Sequence, residues 1–251
     1  MLYSCGNNNS SQKKAPLKDS LTYSYHTVRE HATDCGNNLD TTCANAQFVY
    51  PIFKGRQVLN DSVKATLVNF FNSEKHPDTS LRDCAQLFLK AYYNTKKANP
   101  QINPFKLNCV TRVIKQDSSL ITIDASIFLY YGNGTGHVIT RFINWDTKAS
   151  KKLLLSDLLT DGSADKVSKI AEGIFRKNEN LSDTASLQPT YTFKDNKFFL
   201  TDDFLITPDG LGFFYNQYQV KQTGPVRILV PYSDIKSLVK PNTVLTQYLK
   251  Q

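Results

Sequence analysis

The sequence lacks the features that mark several large classes of protein. No apolar run approaches the ~18 residues that a membrane-spanning helix needs. There is no C-x-x-C pair, no G-x-S-x-G elbow, and neither H-E-x-x-H nor H-x-x-E-H. His26 and His31 lie in an alternating stretch that is typical of a strand, so they do not share a helical face for zinc. We therefore predict no catalytic residue, no metal site and no cofactor.

A concentration of positive charge is also missing. The formal net charge is +8 and the pI is about 9.1, but the 30 Lys and Arg residues are interspersed with 22 Asp and Glu residues. The densest basic runs are pairs such as Lys13-Lys14, Lys96-Lys97 and Lys151-Lys152. Such pairs are typical of a solvated surface, and we predict that nucleic acid is not a partner.

The N-terminus indicates attachment to a membrane by lipid. Leu2-Tyr3-Ser4 stands directly before Cys5 in the pattern of a bacterial lipobox, and a polar tract follows it. Only four residues precede Cys5, so we expect the basic and apolar parts of a signal peptide to lie upstream of the first residue. We predict lipidation at Cys5, a tether over residues 1–19, and a location on the periplasmic or cell-surface side of a bacterial envelope.

The remaining cysteines number four, which suits an oxidising compartment. They allow three pairings. We favour Cys35 with Cys43, which would close a loop containing turn-forming residues, and Cys84 with Cys109.

Two periodicities divide the rest of the chain. Helical spacing of apolar residues predicts helices over Gln57–Lys75, from Ser80 to before Pro100, over about Ala164–Lys177 and near Ser233–Val239. Alternation predicts strands from Leu21 and over Ala46–Phe53, Phe105–Gln116, Leu120–Tyr131, Val138–Trp145, Lys152–Leu159, Tyr191–Phe193, Lys197–Leu200, Phe204–Thr207, Gly212–Val220 and Arg227–Val230. Helices cluster early and strands late. We predict an α+β fold with a largely antiparallel sheet, in which residues 20–103 and 104–251 form one compact body.

Three glycines in the stretch Gly132–His137 resemble a phosphate-binding loop. Such a loop needs a helix directly after it, whereas the residues after Gly136 are β-branched and alternate as in a strand. We therefore predict a hairpin turn here, in which glycine and asparagine supply positive φ angles.

Two segments carry a resemblance to a known family. Leu129–Leu159 combines a glycine-rich turn, a histidine and a Lys-Leu-x-Leu-x-Asp-Leu ending, and Phe204–Val239 contains the distinctive segment Val230–Ile235. Both resemble the extracellular domain of unknown function found in the lysozyme-sensing anti-sigma factor RsiV and in the peptidoglycan deacetylase PdaC, over roughly residues 20–245. The chain departs from the family pattern around His137 and at Tyr215–Val220.

The resemblance implies a binding protein whose ligand is a lysozyme-type muramidase or a part of peptidoglycan. The deacetylase chemistry of PdaC resides in a separate domain, and no segment here resembles its metal site. Aromatic residues with a polar edge are common at interfaces, and the candidates for partner binding are His137, Tyr215, Tyr218 and Tyr232. Two alternatives stay open: a cell-wall hydrolase or deacetylase with an unrecognised site, and a structural envelope lipoprotein.

Overall fold

A computed structural model of the chain describes residues 21–35, 43–71 and 80–249. Its largest element is a six-stranded sheet in the order β1-β2-β3-β4-β5-β6, and a second, three-stranded sheet is formed by β7-β8-β9. The strands are β1 Tyr23–His31, β2 Asn45–Phe53, β3 Lys106–Gln116, β4 Leu120–Tyr130, β5 His137–Asp146, β6 Lys151–Lys152, β7 Phe204–Ile206, β8 Gly210–Tyr215 and β9 Val226–Pro231. The helices are α1 Gln57–Val68, α2 Leu81–Ala98, α3 Leu155–Leu158, α4 Ala164–Asn178 and α5 Tyr232–Ile235. The predicted α+β class is confirmed.

Neighbouring strands run antiparallel with one exception. β2 and β3 are parallel, and α1 and α2 form the crossover between them. The largely antiparallel sheet that the sequence predicts therefore contains one parallel pair among the described strands. β3 continues the sheet begun by β1 and β2, so residues after 104 share a core with the N-terminal part.

The boundaries of α2 follow from local chemistry. The Ser80 hydroxyl accepts a hydrogen bond from the Asp83 N–H at 3.1 Å, and the Asp83 carboxylate accepts one from the Ser80 N–H at 2.8 Å. This capping box satisfies two of the N–H groups that a helix start leaves unpaired. Pro100 follows the end of the helix at Asn99. The buried stripe of α2 packs on β1 and β2.

The buried apolar side chains form two clusters. The first lies between α1 and α2 and one face of the six-stranded sheet, where Phe48, Leu107 and Ile123 have no exposed area. The second is formed by α4, the three-stranded sheet and the C-terminal turns. Phe175 of α4 is fully buried at its centre. Two buried layers against one sheet explain why β4 is covered along nearly its whole length.

Three predicted strand segments were wrong, namely Lys152–Leu159, Tyr191–Phe193 and Lys197–Leu200. β6 ends at Lys152, because the Asp157 carboxylate accepts the Leu154 N–H at 2.8 Å and so starts the helical turn α3. Between residues 191 and 200 the structure has no strand. The aromatic rings of this segment instead pack on Phe175, and Asp195 has a φ of 54°, which interrupts an extended chain.

The cysteines follow the predicted pairing in one case of two. Cys35 and Cys43 are disulfide-bonded, with their Cα atoms 4.9 Å apart. Cys84 and Cys109 are buried and unbonded, so the second pairing was wrong. The reason is placement: α2 carries Cys84 over β1 and β2, whereas Cys109 belongs to β3. Cys5 lies outside the described residues.

None of the helices in the described ranges is long and apolar enough to cross a bilayer.

Candidate binding cleft

The second sheet is fastened to β5 by two asparagine side chains. The Asn144 amide donates to the Phe204 carbonyl at 2.7 Å and accepts from the Ile206 N–H at 3.2 Å. The Asn216 amide accepts from the Thr140 N–H at 2.6 Å and donates to the Thr140 carbonyl at 3.0 Å. Each amide therefore satisfies one backbone donor and one backbone acceptor, as a neighbouring strand would. These contacts fix the distance between the two sheets.

A cleft of about 560 Å³ lies between the outer face of β4 and β5 and the strands β8 and β9. We call it the arginine cleft, because Arg112 and Arg227 both line it. Its apolar lining includes Phe142, Leu205 and Leu229. The volume falls within the range of roughly 300–1,000 Å³ that is usual for small-molecule sites.

One wall of the arginine cleft is a connected polar row. Arg112 on β3 forms an ion pair with Asp124 on β4 at 2.5 Å. Ser126 donates to the same carboxylate at 2.8 Å, and its hydroxyl lies 3.0 Å from that of Thr140. The Asp124 side chain is only 11% exposed whereas that of Arg112 is 61% exposed, so the guanidinium of the pair reaches solvent.

The opposite wall carries Arg227. Alternation along β9 buries Val226, Ile228 and Val230 and turns Arg227 and Leu229 outward. The Arg227 guanidinium lies 5.3 Å from the centre of the Phe214 ring, and this ring meets Phe142 edge-to-face at 5.8 Å. Within the described ranges no carboxylate pairs with Arg227. A cation–π contact of this kind holds a guanidinium in place without neutralising it.

A second cleft, of about 720 Å³, lies on the other side of Phe142. Lys152 and Asp202 line it, and Arg141 forms an ion pair with Asp203 at 3.3 Å nearby. Burial raises the pKa of Asp203, and the charges of Arg141 and Lys152 oppose that rise only in part. Burial likewise lowers the pKa of Lys152, although part of its side chain reaches solvent. This group forms a charge network that supports the junction between the two sheets.

The predicted partner residues fall into two pairs. His137 and Tyr218 contact each other edge-to-face at 5.3 Å, and Tyr218 is 52% exposed. Neither residue lines the arginine cleft, although Thr140, which does, follows His137 by three residues on β5.

Tyr215 and Tyr232 are buried instead. Their hydroxyls donate to the carbonyls of Phe199 at 2.7 Å and Thr207 at 2.9 Å. Their rings therefore belong to the core and are not presented to a partner, which corrects the prediction for these two residues. A role in partner contact stays a prediction for His137 and Tyr218.

The glycine-rich stretch is a turn, as predicted. Leu129 pairs with His137, so β4 and β5 form a hairpin, and Gly132 and Gly134 have φ angles of 83° and 64°. The Asn103 side chain donates to the Gly132 carbonyl at 3.0 Å and so connects the turn to the loop between α2 and β3.

Sequence reasoning missed the arginines of the cleft. The only available signal was that Arg112 and Arg227 occupy exposed positions in strands whose alternate residues are apolar and buried. Across residues 21–35, 43–71 and 80–249, no group of three or more His, Cys, Asp or Glu side chains could hold a metal ion.

Comparisons with known proteins place the chain among proteins of the same fold. Residues 156–233 match the model of a family described as "Protein of unknown function (DUF3298)". A crystal structure of a DUF3298 family member from Bacteroides fragilis is similar, with a TM-score of 0.71 and 19% identity, over 92% of this chain and 98% of that one. A DUF3298 family protein from Pseudomonas aeruginosa PAO1 has a TM-score of 0.66 and 20% identity, over 88% and 95% of the two chains. No curated protein matches the sequence.

Proposed function

We propose that this protein is a non-catalytic, lipid-anchored binding protein of the bacterial cell envelope, and that it recognises a peptidoglycan-related ligand. The observation that carries the proposal is the arginine cleft. It combines Arg227, whose guanidinium has no acidic partner among the described residues, with apolar lining at Phe142 and Leu229 and with hydroxyl groups at Ser126 and Thr140. A ligand site of this type needs a few polar groups among apolar ones.

Peptidoglycan offers the complementary chemistry. Its sugar rings present apolar faces that aromatic side chains can contact, and its peptide stems carry carboxylates that guanidinium groups bind. The formal net charge of +8 favours the approach of such an anionic polymer. The resemblance to the RsiV and PdaC domains, which belong to proteins that act at the cell wall, supports the same ligand class.

A muramidase is the second candidate. The exposed His137–Tyr218 pair gives a small aromatic surface of the kind found at protein interfaces. The resemblance to a lysozyme-sensing domain favours the same partner. Against it stands charge, because a basic muramidase would be repelled by a protein with a formal net charge of +8.

The test is to mix the 251-residue chain with purified peptidoglycan sacculi at low and high salt, and to measure the fraction that pellets. We expect saturable binding that persists in part at high salt, because the cleft also offers apolar contact. Titration with a lysozyme-type muramidase under the same conditions measures the second candidate. Release of acetate or reducing sugar from the sacculi would contradict the non-catalytic assignment.

The proposed anchor is tested separately. Expression in a bacterium behind a lipoprotein signal peptide should give a diacylglyceryl mass on Cys5 and partitioning into detergent. Both should disappear in Cys5→Ala. Retention of either property in the variant would rule out lipidation at this residue.

A further inference from the structure

We propose that the arginine cleft is a carboxylate-binding site, in which Arg227 pairs with a carboxylate of the ligand while its sugar or aliphatic part lies against Phe142 and Leu229. This inference rests on the proposed function and adds to it the ligand chemistry and the residue that recognises it.

Arg227 is held in place by an aromatic ring, and no carboxylate within the described residues neutralises it. Its guanidinium lies over Phe214 at 5.3 Å, and Phe214 is only 8% exposed because Phe142 and its own strand support it. A cation–π contact does not use up the N–H donors of the guanidinium, which can still bind a planar carboxylate with two hydrogen bonds. Arg227 therefore loses little conformational freedom when a carboxylate arrives.

The charge balance of the cleft favours an anionic ligand. Arg112 is already paired with Asp124 at 2.5 Å, and Ser126 also donates to that carboxylate. Two arginines against one aspartate leave one net positive charge, which a single carboxylate balances. An anion is favoured over a cation, because Asp124, the acidic residue among the described residues that line the cleft, is only 11% exposed and is already paired with Arg112.

The apolar surface beside Arg227 favours a ligand that is larger than an inorganic anion. Leu229 is 44% exposed two residues further along β9, on the same face as Arg227. Phe142 is partly exposed on the facing strand β5. A free inorganic anion would leave this surface unused, whereas an acidic glycopeptide would cover it. The cleft of about 560 Å³ has room for one sugar with an attached acidic residue.

The experiment measures binding of the 251-residue chain to a soluble muropeptide, a disaccharide with its acidic peptide stem, by calorimetry. The matched probe is the same muropeptide with its carboxylates converted to amides. The variants are Arg227→Gln, which removes the charge, and Arg227→Lys, which keeps the charge but loses the planar fork. Arg82→Gln is the control, because Arg82 is also exposed but lies on α2, pairs with Glu30 and does not line the cleft.

The proposal predicts that the acidic muropeptide binds the unaltered chain and Arg82→Gln equally. Arg227→Gln should weaken binding at least about tenfold, the loss expected for a charge-assisted hydrogen bond. Arg227→Lys should fall between the two. The amidated muropeptide should bind weakly and with no difference between the unaltered chain and Arg227→Gln. Melting temperatures of all variants are measured alongside, and because Arg227 is exposed we expect them to match.

Several results would overturn the proposal. They are unchanged affinity of Arg227→Gln for the acidic muropeptide, equal affinity of the unaltered chain for both probes, or no binding of the acidic probe. Tighter binding of glycerol 3-phosphate than of the muropeptide would overturn the choice of carboxylate. If Arg227→Gln still pelleted with sacculi as the unaltered chain does, the proposed function would stand and only this site would be refuted.

Discussion

Replacement of Asn144 by alanine tests the junction that forms the arginine cleft. Asn144 is 1% exposed, and its amide serves the Phe204 carbonyl and the Ile206 N–H on the edge of β7 that does not pair with β8. Asn144→Ala leaves both backbone groups buried without a partner. Each such group costs about 1–3 kcal/mol, so we expect a loss of about 2–6 kcal/mol in the free energy of unfolding.

The assay is urea unfolding at neutral pH, followed by fluorescence and by circular dichroism. The loss should appear as a lower midpoint with an unchanged m-value, because the surface exposed on unfolding stays the same. Asn94→Ala is the control, since Asn94 is exposed on α2, and its effect should stay within about 0.5 kcal/mol. A loss below about 0.5 kcal/mol for Asn144→Ala would show that the hydrogen bonds of this amide do not stabilise the junction between the two sheets.

Three further predictions follow from other parts of the structure. Gly136→Ala should lower the melting temperature, because a Cβ there would lie 2.2 Å from the Phe128 ring, and Phe128→Leu should relieve part of the loss. Burial pushes the pKa of Glu179 upward, but hydrogen bonds from its partners outweigh this and the pKa is lowered. A carboxylate with a lowered pKa stabilises the folded protein above pH 4.5, the ordinary pKa value, and this stabilisation is lost as the pH falls below it. The melting temperature of Glu179→Gln should therefore decrease less on acidification than that of the unaltered chain. Burial raises the thiol pKa of Cys84 to about 11 and of Cys109 to about 12, so both should resist alkylation until the protein is denatured.

Each of these has a result that contradicts it. For Gly136→Ala it is an unchanged melting temperature, and for Glu179→Gln an acid profile that superimposes on that of the unaltered chain. For the thiols it is labelling of Cys84 or Cys109 in the folded protein at neutral pH, or failure to label them after denaturation without reductant.

The long strands were predictable because their alternation reflects one buried face. In β3 the residues Leu107, Cys109 and Thr111 are buried and those between them are exposed, so the period of two is plain in the sequence. β8 shows the limit of this reasoning. All of Gly210–Tyr215 is buried, because the small sheet is covered on both faces. Alternation then carries no information about which aromatic ring reaches the surface. For that reason Tyr215 was wrongly predicted to contact a partner.

The segment after α4 shows a second limit. Its alternating aromatic residues looked like strands, yet the segment belongs to neither sheet, and its rings pack on Phe175 of α4 and on Tyr215 of β8. Periodicity reports which side of the chain is buried, and a loop packed on a helix can have the same pattern as a strand.

The arginine cleft itself could not be predicted from the sequence. Arg112 and Arg227 stand more than a hundred positions apart, on strands of different sheets. They meet only because Asn144 and Asn216 fasten β7 and the end of β8 to β5. A sequence shows that an arginine points outward from a strand, but the partner strand and its register come from the folded structure.

Hydrogen exchange with and without a soluble muropeptide locates the bound ligand on the unaltered chain and so tests whether the arginine cleft is the binding site. The account predicts slower exchange in β9 around Arg227 and in β4 and β5 around Asp124 and Thr140, with no change in α2. Protection confined to the opposite face of the large sheet, or no protection at a saturating concentration of the muropeptide, would contradict it.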